Sequence, residues 1–216
     1  MVTFFIDSAD RIEVTRLLRT RLFGGVTTNP AILDKAGLGS ADIPDLVAWA
    51  NDAGAGRVFL QSWGKSAAEL IERGEGLRAL ASNVVVKLPA SRDGIEAAAQ
   101  LSRGGDVLVT AVHAATQVFP VMASGATYLA PFVGRMLAGG RDGVAETIAI
   151  QHAVAATGSS LQVLAGSLRT PEQVLELASA GVRNMTFGPA VWDLFFDDDM
   201  TDDSVENFER LATTGA

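Results

Sequence analysis

Eight short apolar runs, rich in β-branched residues, recur along the chain at residues 2–7, 25–28, 57–62, 84–89, 106–112, 126–132, 161–167 and 184–187. Each has the length of a single strand. Between them lie segments such as 66–81, 94–101, 114–124, 144–157 and 171–180, whose apolar residues return every three or four positions, as an amphipathic helix requires. Local punctuation agrees. Thr170-Pro171 places a capping hydroxyl before a proline at the first helical position, and Ala180-Gly181 supplies a glycine stop. Strand–helix alternation with no antiparallel hairpin predicts an α/β fold with a parallel sheet. Eight repeats predict closure into a single (β/α)8 TIM barrel rather than an open doubly wound sheet. No internal repeat, low-complexity tract or linker interrupts the pattern. One domain over residues 1–216 is therefore expected, with about 190–216 as a C-terminal helical extension. The acidic run Asp197-Asp198-Asp199, then Asp202-Asp203, precedes a predicted final helix at 204–212 and reads as its solvated N-terminus.

Composition excludes several kinds of chemistry. The 216 residues contain no cysteine, which removes disulfides and thiolate zinc sites, and the two histidines, His113 and His152, argue against an all-histidine metal site. A formal net charge of −8 argues against binding nucleic acid, although a local pair of arginines can still hold a phosphate. The N-terminus lacks a basic segment followed by a long apolar one, and no apolar window reaches the roughly 18 residues of a membrane span. The expectation is a soluble, cytoplasmic protein with no membrane or nucleic-acid partner.

Barrel sites form at the C-terminal ends of the strands, so the residues that close each run carry the information. In order these are Asp7, Thr27-Thr28-Asn29, Gln61, Lys87, Thr110, Arg135 just beyond the sixth run, and Ser167. Lys87 is one of three lysines beside fourteen arginines, and it lies within Asn83-Val84-Val85-Val86-Lys87-Leu88-Pro89. An ammonium buried among valines loses hydration and tends to give up its proton, and a neutral amine can add to a carbonyl to form an iminium ion. Alone, the same lysine could equally reach past the rim to water. Schiff-base chemistry also needs a carboxylate to move protons. Asp7 could supply it, although by position it could instead cap the helix that starts near residues 8–11. Ser167 and Arg169, with Arg135, would place two guanidinium groups and a hydroxyl where barrels commonly hold phosphate.

Together these strings resemble a known family. Asp7 after the first run, Gly25-Val26-Thr27-Thr28-Asn29-Pro30, Val85-Val86-Lys87-Leu88-Pro89, Ala130-Pro131-Phe132-Val133-Gly134-Arg135 and Ala165-Gly166-Ser167-Leu168-Arg169 are similar, in family order over about residues 2–190, to the transaldolase family. The likeness is to its small branch of short transaldolases and fructose-6-phosphate aldolase. The resemblance implies a class I mechanism with no metal or organic cofactor. Lys87 would carry a dihydroxyacetone unit as a Schiff base, with Asp7 as general acid/base and Asn29 hydrogen-bonding the fragment. Thr110, with Gln61, would position a water. Arg135, Ser167 and Arg169 would hold the phosphate of a sugar phosphate, and Thr28 would line the site.

Two positions point to different members. The resemblance implies glutamate at position 61 for a transaldolase and glutamine for the aldolase, and the chain has Gln61. It implies phenylalanine at 132 for a transaldolase and tyrosine for the aldolase, and the chain has Phe132. A tyrosine hydroxyl could help protonate the enamine, whereas Phe132 cannot, which favours transfer of dihydroxyacetone between sugar phosphates such as fructose 6-phosphate and sedoheptulose 7-phosphate over free aldol cleavage. A non-catalytic sugar-phosphate-binding barrel is a further alternative, with Gln61 as its support. An isomerase would need a glutamate ending a strand, and none does. His113 is expected at the rim, without a catalytic role. The resemblance also implies a ring-type homo-oligomer, a pentamer or decamer, in which a C-terminal helix packs on a neighbour. Trp192, Leu194, Phe195 and Phe196 would then serve either that interface or the closing of the barrel bottom.

Overall fold

A computed structural model describes residues 1–214. Eight parallel strands close in chain order: β1 (Thr3–Asp7), β2 (Phe23–Thr27), β3 (Arg57–Gln61), β4 (Val84–Pro89), β5 (Val107–Val112), β6 (Tyr128–Pro131), β7 (Gln162–Ala165) and β8 (Asn184–Phe187), with β8 paired to β1. The helices follow in turn. They are α1 (Arg11–Arg19), α2 (Pro30–Lys35), α3 (Ile43–Asp52), α4 (Ala67–Arg78), α5 (Arg92–Leu101), α6 (Val118–Ala123), α7 (Val133–Ala138), α8 (Gly143–Thr157), α9 (Pro171–Ser179), α10 (Pro189–Asp193) and α11 (Asp199–Thr214). The chain is a (β/α)8 barrel with a C-terminal helix, as the alternation predicts. The last two residues of the expected 1–216 domain and of its 190–216 extension lie outside the described residues.

The strands read as unbroken apolar runs because both of their faces are buried. Phe5, Phe59, Val85, Leu108, Tyr128, Ala130 and Leu164 fill the barrel interior, while the alternate residues, such as Ile6, Val86, Val109 and Met185, pack outward against the helices. Phe5 and Phe59 meet edge to face at 5.1 Å, as do Phe59 and Tyr128 at 5.5 Å, so the interior is a packed floor rather than a pore. Side chains alternate across a strand, so two residues beyond each floor residue the next inward position faces the C-terminal mouth. Thus Phe5 leads to Asp7, Phe59 to Gln61, Val85 to Lys87 and Leu108 to Thr110.

The helices start where the sequence provides acceptors. Asp10, Ser66, Ser91, Asp142 and Thr170 each cap a helix by accepting from its first free backbone amides. Three expectations need correction. The segment 114–124 is not one helix but a 3-10 turn at 115–117 followed by α6, because the Gln117 side chain accepts from the His113 and Ala114 amides and closes the turn locally. The final helix begins at Asp199, not 204, so Asp199 and Asp202 lie inside its first turn, where they complement the helix dipole, with the Asp198 side chain accepting from Thr201 N. Trp192 and Phe195 do not close the barrel bottom. They pack on Phe4, Phe23 and Phe187, over the outer face of β1, β2 and β8.

Beyond that point little is covered. Phe196 is exposed, and α11 has no buried residue; its Met200, Val205, Phe208 and Leu211 share one uncovered side. Among the described residues no helix is long and apolar enough to cross a membrane, and no group of three or more acidic or histidine side chains could hold a metal ion.

Register slips by one residue between Phe4↔Phe23 and Ile6↔Val26, and Gly25 absorbs the irregularity at φ +152°. A Cβ there would sit 1.9 Å from the Arg57 carbonyl oxygen on β3. Gly25→Ala should therefore cost about 3 kcal/mol or more in urea unfolding. Gly140→Ala should cost only about 1 kcal/mol, since Gly140 has a positive φ of +77° but open space around it. Equal losses would contradict the backbone-clash account.

Candidate active site

The C-terminal mouth of the barrel holds a cavity of about 610 Å³ that Asp7, Thr27, Asn29, Lys87, Thr110, Phe132, Arg135, Ser167, Arg169 and Thr186 help to line. Lys87 is 4% exposed. Its Nζ donates to the Thr28 carbonyl at 2.6 Å, directly above the apolar floor. Burial lowers its pKa from the ordinary 10.5 to about 8, while the nearby Asp7 carboxylate pulls the other way. Near neutral pH roughly a tenth of the amine is thus unprotonated, against roughly one part in several thousand for a solvated lysine.

Asp7 is within electrostatic reach of Lys87 but not in direct ion-pair contact at 4.0 Å. Amine and carboxylate line the same cavity. Asp7 does not cap α1; Asp10 does. Instead Asp7 Oδ1 accepts from Thr27 Oγ1 at 2.6 Å, and Thr27 Oγ1 lies 2.6 Å from Thr186 Oγ1. Since the single Thr27 hydroxyl proton goes to the carboxylate, Thr186 donates to Thr27. This two-hydroxyl relay anchors the carboxylate from β2 and β8. Asn29 Oδ1 accepts from Ile32 N at 3.0 Å as the cap of α2, so its amide NH2 is the group it offers the cavity.

On the opposite wall two buried hydroxyls, Thr110 Oγ1 and Ser167 Oγ, have no hydrogen-bond partner among the described residues. A buried polar atom left unpaired costs free energy that a ligand or water can recover. The backbone is strained beside both: Ala111 has φ +57°, where β5 and β6 lose register between Val109 and Val112, and Ser167 itself has φ +59°. Arg135 and Arg169 have no carboxylate partner among the described residues. Their segments are tied together where Gly134 N donates to Ser167 O at 2.9 Å, an approach that a Cβ on Gly134 would block at 2.3 Å. The cavity therefore carries an amine and a carboxylate on one side and unpaired guanidinium groups and hydroxyls on the other, an arrangement suited to a carbonyl compound bearing an anionic tail.

Most of the residues expected from the sequence converge here, but two do not enter this cavity. The Thr28 hydroxyl donates to Phe59 O at 3.1 Å and faces a neighbouring cavity of about 360 Å³; only its carbonyl meets Lys87. Gln61 is the register partner of Lys87, yet its amide donates to Ser62 O and Lys87 O, and its side chain lines that same second, mostly apolar cavity beside Trp63. His113 stands edge-on to Phe132 outside the cavity lining, as expected of a rim residue. Thr186 was not anticipated. Alternation along β8 places it inward beside Thr27, and that was the available signal.

The sequence of the chain is similar to those of known proteins. A sequence model described as Transaldolase/Fructose-6-phosphate aldolase matches residues 4–215. A probable transaldolase from Rhizorhabdus wittichii is 32% identical over 206 residues, covering 95% of this chain and 94% of that protein. One from Caulobacter vibrioides is 33% identical over 213 residues, covering 98% and 97%, and one from Streptococcus agalactiae is 30% identical over 206 residues, covering 95% and 94%.

The lowered pKa of Lys87 makes a thermodynamic prediction. Below pH 8 both folded and unfolded chains carry the ammonium, and the cost of burying it is fully present. Between 8 and 10.5 the folded chain has released a proton that the unfolded chain retains, so stability rises with pH. Lys87→Met should therefore be more stable than the native protein by up to about 3 kcal/mol at pH 7, the gap narrowing as pH approaches 10.5. Chemical denaturation of both proteins across that range measures it; a gap independent of pH would show that Lys87 is not desolvated.

Proposed function

This chain belongs to the transaldolase/fructose-6-phosphate aldolase family, and from that premise we propose that it is a class I transaldolase that carries dihydroxyacetone on Lys87. The observation that carries the reading is the buried Lys87 amine, with Asp7 in electrostatic reach, in a cavity whose far wall bears Arg135 and Arg169, neither with a carboxylate partner among the described residues. In the proposed cycle the neutral amine adds to C2 of a ketose phosphate such as fructose 6-phosphate, and the carbinolamine loses water to give an iminium ion. Asp7 removes the proton of the C4 hydroxyl, the C3–C4 bond breaks, and its electrons flow into the iminium to form an enamine. Glyceraldehyde 3-phosphate departs as the aldehyde. An acceptor aldose phosphate then enters, the enamine carbon attacks its aldehyde carbon, and Asp7 returns the proton to the new hydroxyl. Water finally hydrolyses the iminium, releasing the product and Lys87.

The other residues take matching roles. The Asn29 amide NH2 hydrogen-bonds the dihydroxyacetone hydroxyls, and Thr110 Oγ1 holds the water exchanged in these steps. Arg135, Arg169 and Ser167 hold the phosphate. Transfer is favoured over release because Phe132 brings no hydroxyl to the enamine. The second reading, a fructose-6-phosphate aldolase releasing free dihydroxyacetone, is favoured by the presence of glutamine at position 61. The uncovered apolar side of α11 supports self-association into a homo-oligomer, a ring-type pentamer or decamer by family likeness.

Two experiments test the proposal. Borohydride reduction in the presence of fructose 6-phosphate should add one dihydroxyacetone-derived mass on Lys87 and none in Lys87→Met; absence of the adduct refutes the Schiff-base step. Dihydroxyacetone should appear only marginally from fructose 6-phosphate alone, and product should form on adding erythrose 4-phosphate. Steady release without acceptor would make the protein an aldolase. For the assembly, Phe208→Asp should lower the sedimentation mass; a native protein that sediments as a monomer would overturn that part.

A further inference from the structure

Phe132 follows β6 at the start of α7, between two polar neighbours. The Arg135 guanidinium lies over one face of its ring, 5.0 Å from the centroid, and the His113 ring meets it edge-on at 5.8 Å and 84°. We propose that Phe132 is a positioning residue for Arg135, its ring face holding the guanidinium at the anionic wall while His113 braces the ring. The inference rests on the reading of Arg135 as a phosphate holder given above.

An exposed arginine with no carboxylate partner samples many rotamers, and fixing one on ligand binding costs entropy. A ring face within about 6 Å of the cation offsets that cost before the ligand arrives. The contact suits this role because both partners have fixed roots. Phe132 N donates to Val112 O at 3.0 Å, and Phe132 O accepts from Met136 N at 2.9 Å, which places Arg135 one turn along the same short helix. His113 is held in turn: its backbone N–H donates to Gln117 Oε1 at 2.8 Å, and its carbonyl accepts from the Arg141 guanidinium. Ring face and guanidinium both border the cavity with Ser167 and Arg169, so the aromatic contact is at the anionic wall itself.

A double-mutant cycle read by calorimetric titration with inorganic phosphate tests this without requiring turnover. Phe132→Leu should weaken phosphate binding about three- to tenfold. Phe132→Tyr keeps the ring face and should stay within about twofold of native. In an Arg135→Ala background, where Arg169 and Ser167 retain residual affinity, Phe132→Leu should weaken binding no further. With fructose and fructose 6-phosphate as donors, the KM advantage of the phosphorylated sugar should fall by the same factor in Phe132→Leu. The proposal is overturned if Phe132→Leu acts equally with and without Arg135, if the tyrosine variant is as weak as the leucine variant, or if the native protein does not bind phosphate. Failure of borohydride trapping, by contrast, would refute the Schiff-base reading and leave the phosphate cycle unaffected.

Discussion

An ammonium group taken out of water must be compensated by new partners or surrender its proton, and the interior of this barrel does some of each. Lys87 has one backbone carbonyl at 2.6 Å and a carboxylate beyond ion-pair contact, too little to replace its hydration shell. What excludes water is the floor beneath it, where Phe5, Phe59 and Tyr128 interlock with Val85, Leu108 and Leu164. The same two-residue alternation that sends Phe5 and Val85 into the floor sends Asp7 and Lys87 into the cavity one step later. Lys87 thus owes its burial to the packing that holds the barrel closed. Under the proposed mechanism a defect in the floor would act on Lys87 through hydration, even though it touches no substrate.

The opposite wall is built on a different principle. β5, β6 and β7 place two hydroxyls without partners, two residues in left-handed backbone and two arginines without carboxylates around one corner of the cavity. Each strained residue costs roughly 1–2 kcal/mol and each orphaned hydroxyl a comparable amount, terms that stability alone would remove. They persist because neighbouring bonds over-determine the loops: Gly134 N to Ser167 O, Gly166 N to Pro131 O and Phe132 N to Val112 O lock three segments together. One wall is therefore preorganised by burial and the other by strain. A bound anion would satisfy the second wall without disturbing the first.

These origins determine what could be read from the chain. The strands were visible because both faces are buried, which leaves unbroken runs of β-branched residues, and Lys87 was conspicuous because it interrupts one. Asp7, Asn29, Thr110, Arg135, Ser167 and Arg169 are legible because they lie at or just beyond strand ends, which a barrel gathers at one mouth. That rule fails where the backbone departs from regular alternation or where a side chain prefers a local acceptor. Thr28 directly follows β2, yet its hydroxyl turns to Phe59 O and its carbonyl contacts Lys87. Gln61 shares an inner register with Lys87, yet its amide binds carbonyl groups on the strands themselves. Thr186 sits one residue before the end of its strand, and its link to Asp7 passes through Thr27, so only three-dimensional closure of β8 onto β1 reveals it. The early start of α11 is not legible because acidic residues suit a loop and a first helical turn equally well.

Phe132 ties the two walls together and shows why a single position can matter twice. Facing the amine side, it is an apolar surface with no proton to give; under the proposed mechanism the enamine there survives until an acceptor aldehyde enters. Facing the anionic side, its ring face is occupied by the Arg135 guanidinium. A hydroxyl added to the ring would put a donor and acceptor at the border of a cavity otherwise lined there by Leu108, Ala130 and Leu164. It would also carry a bound water toward the enamine while leaving the ring face unchanged. Removing the ring would do the reverse, keeping the region dry but freeing the arginine. Under the proposed mechanism, enamine lifetime and phosphate capture therefore depend on separate properties of one side chain, its edge substituent and its face, and each can vary while the other is held.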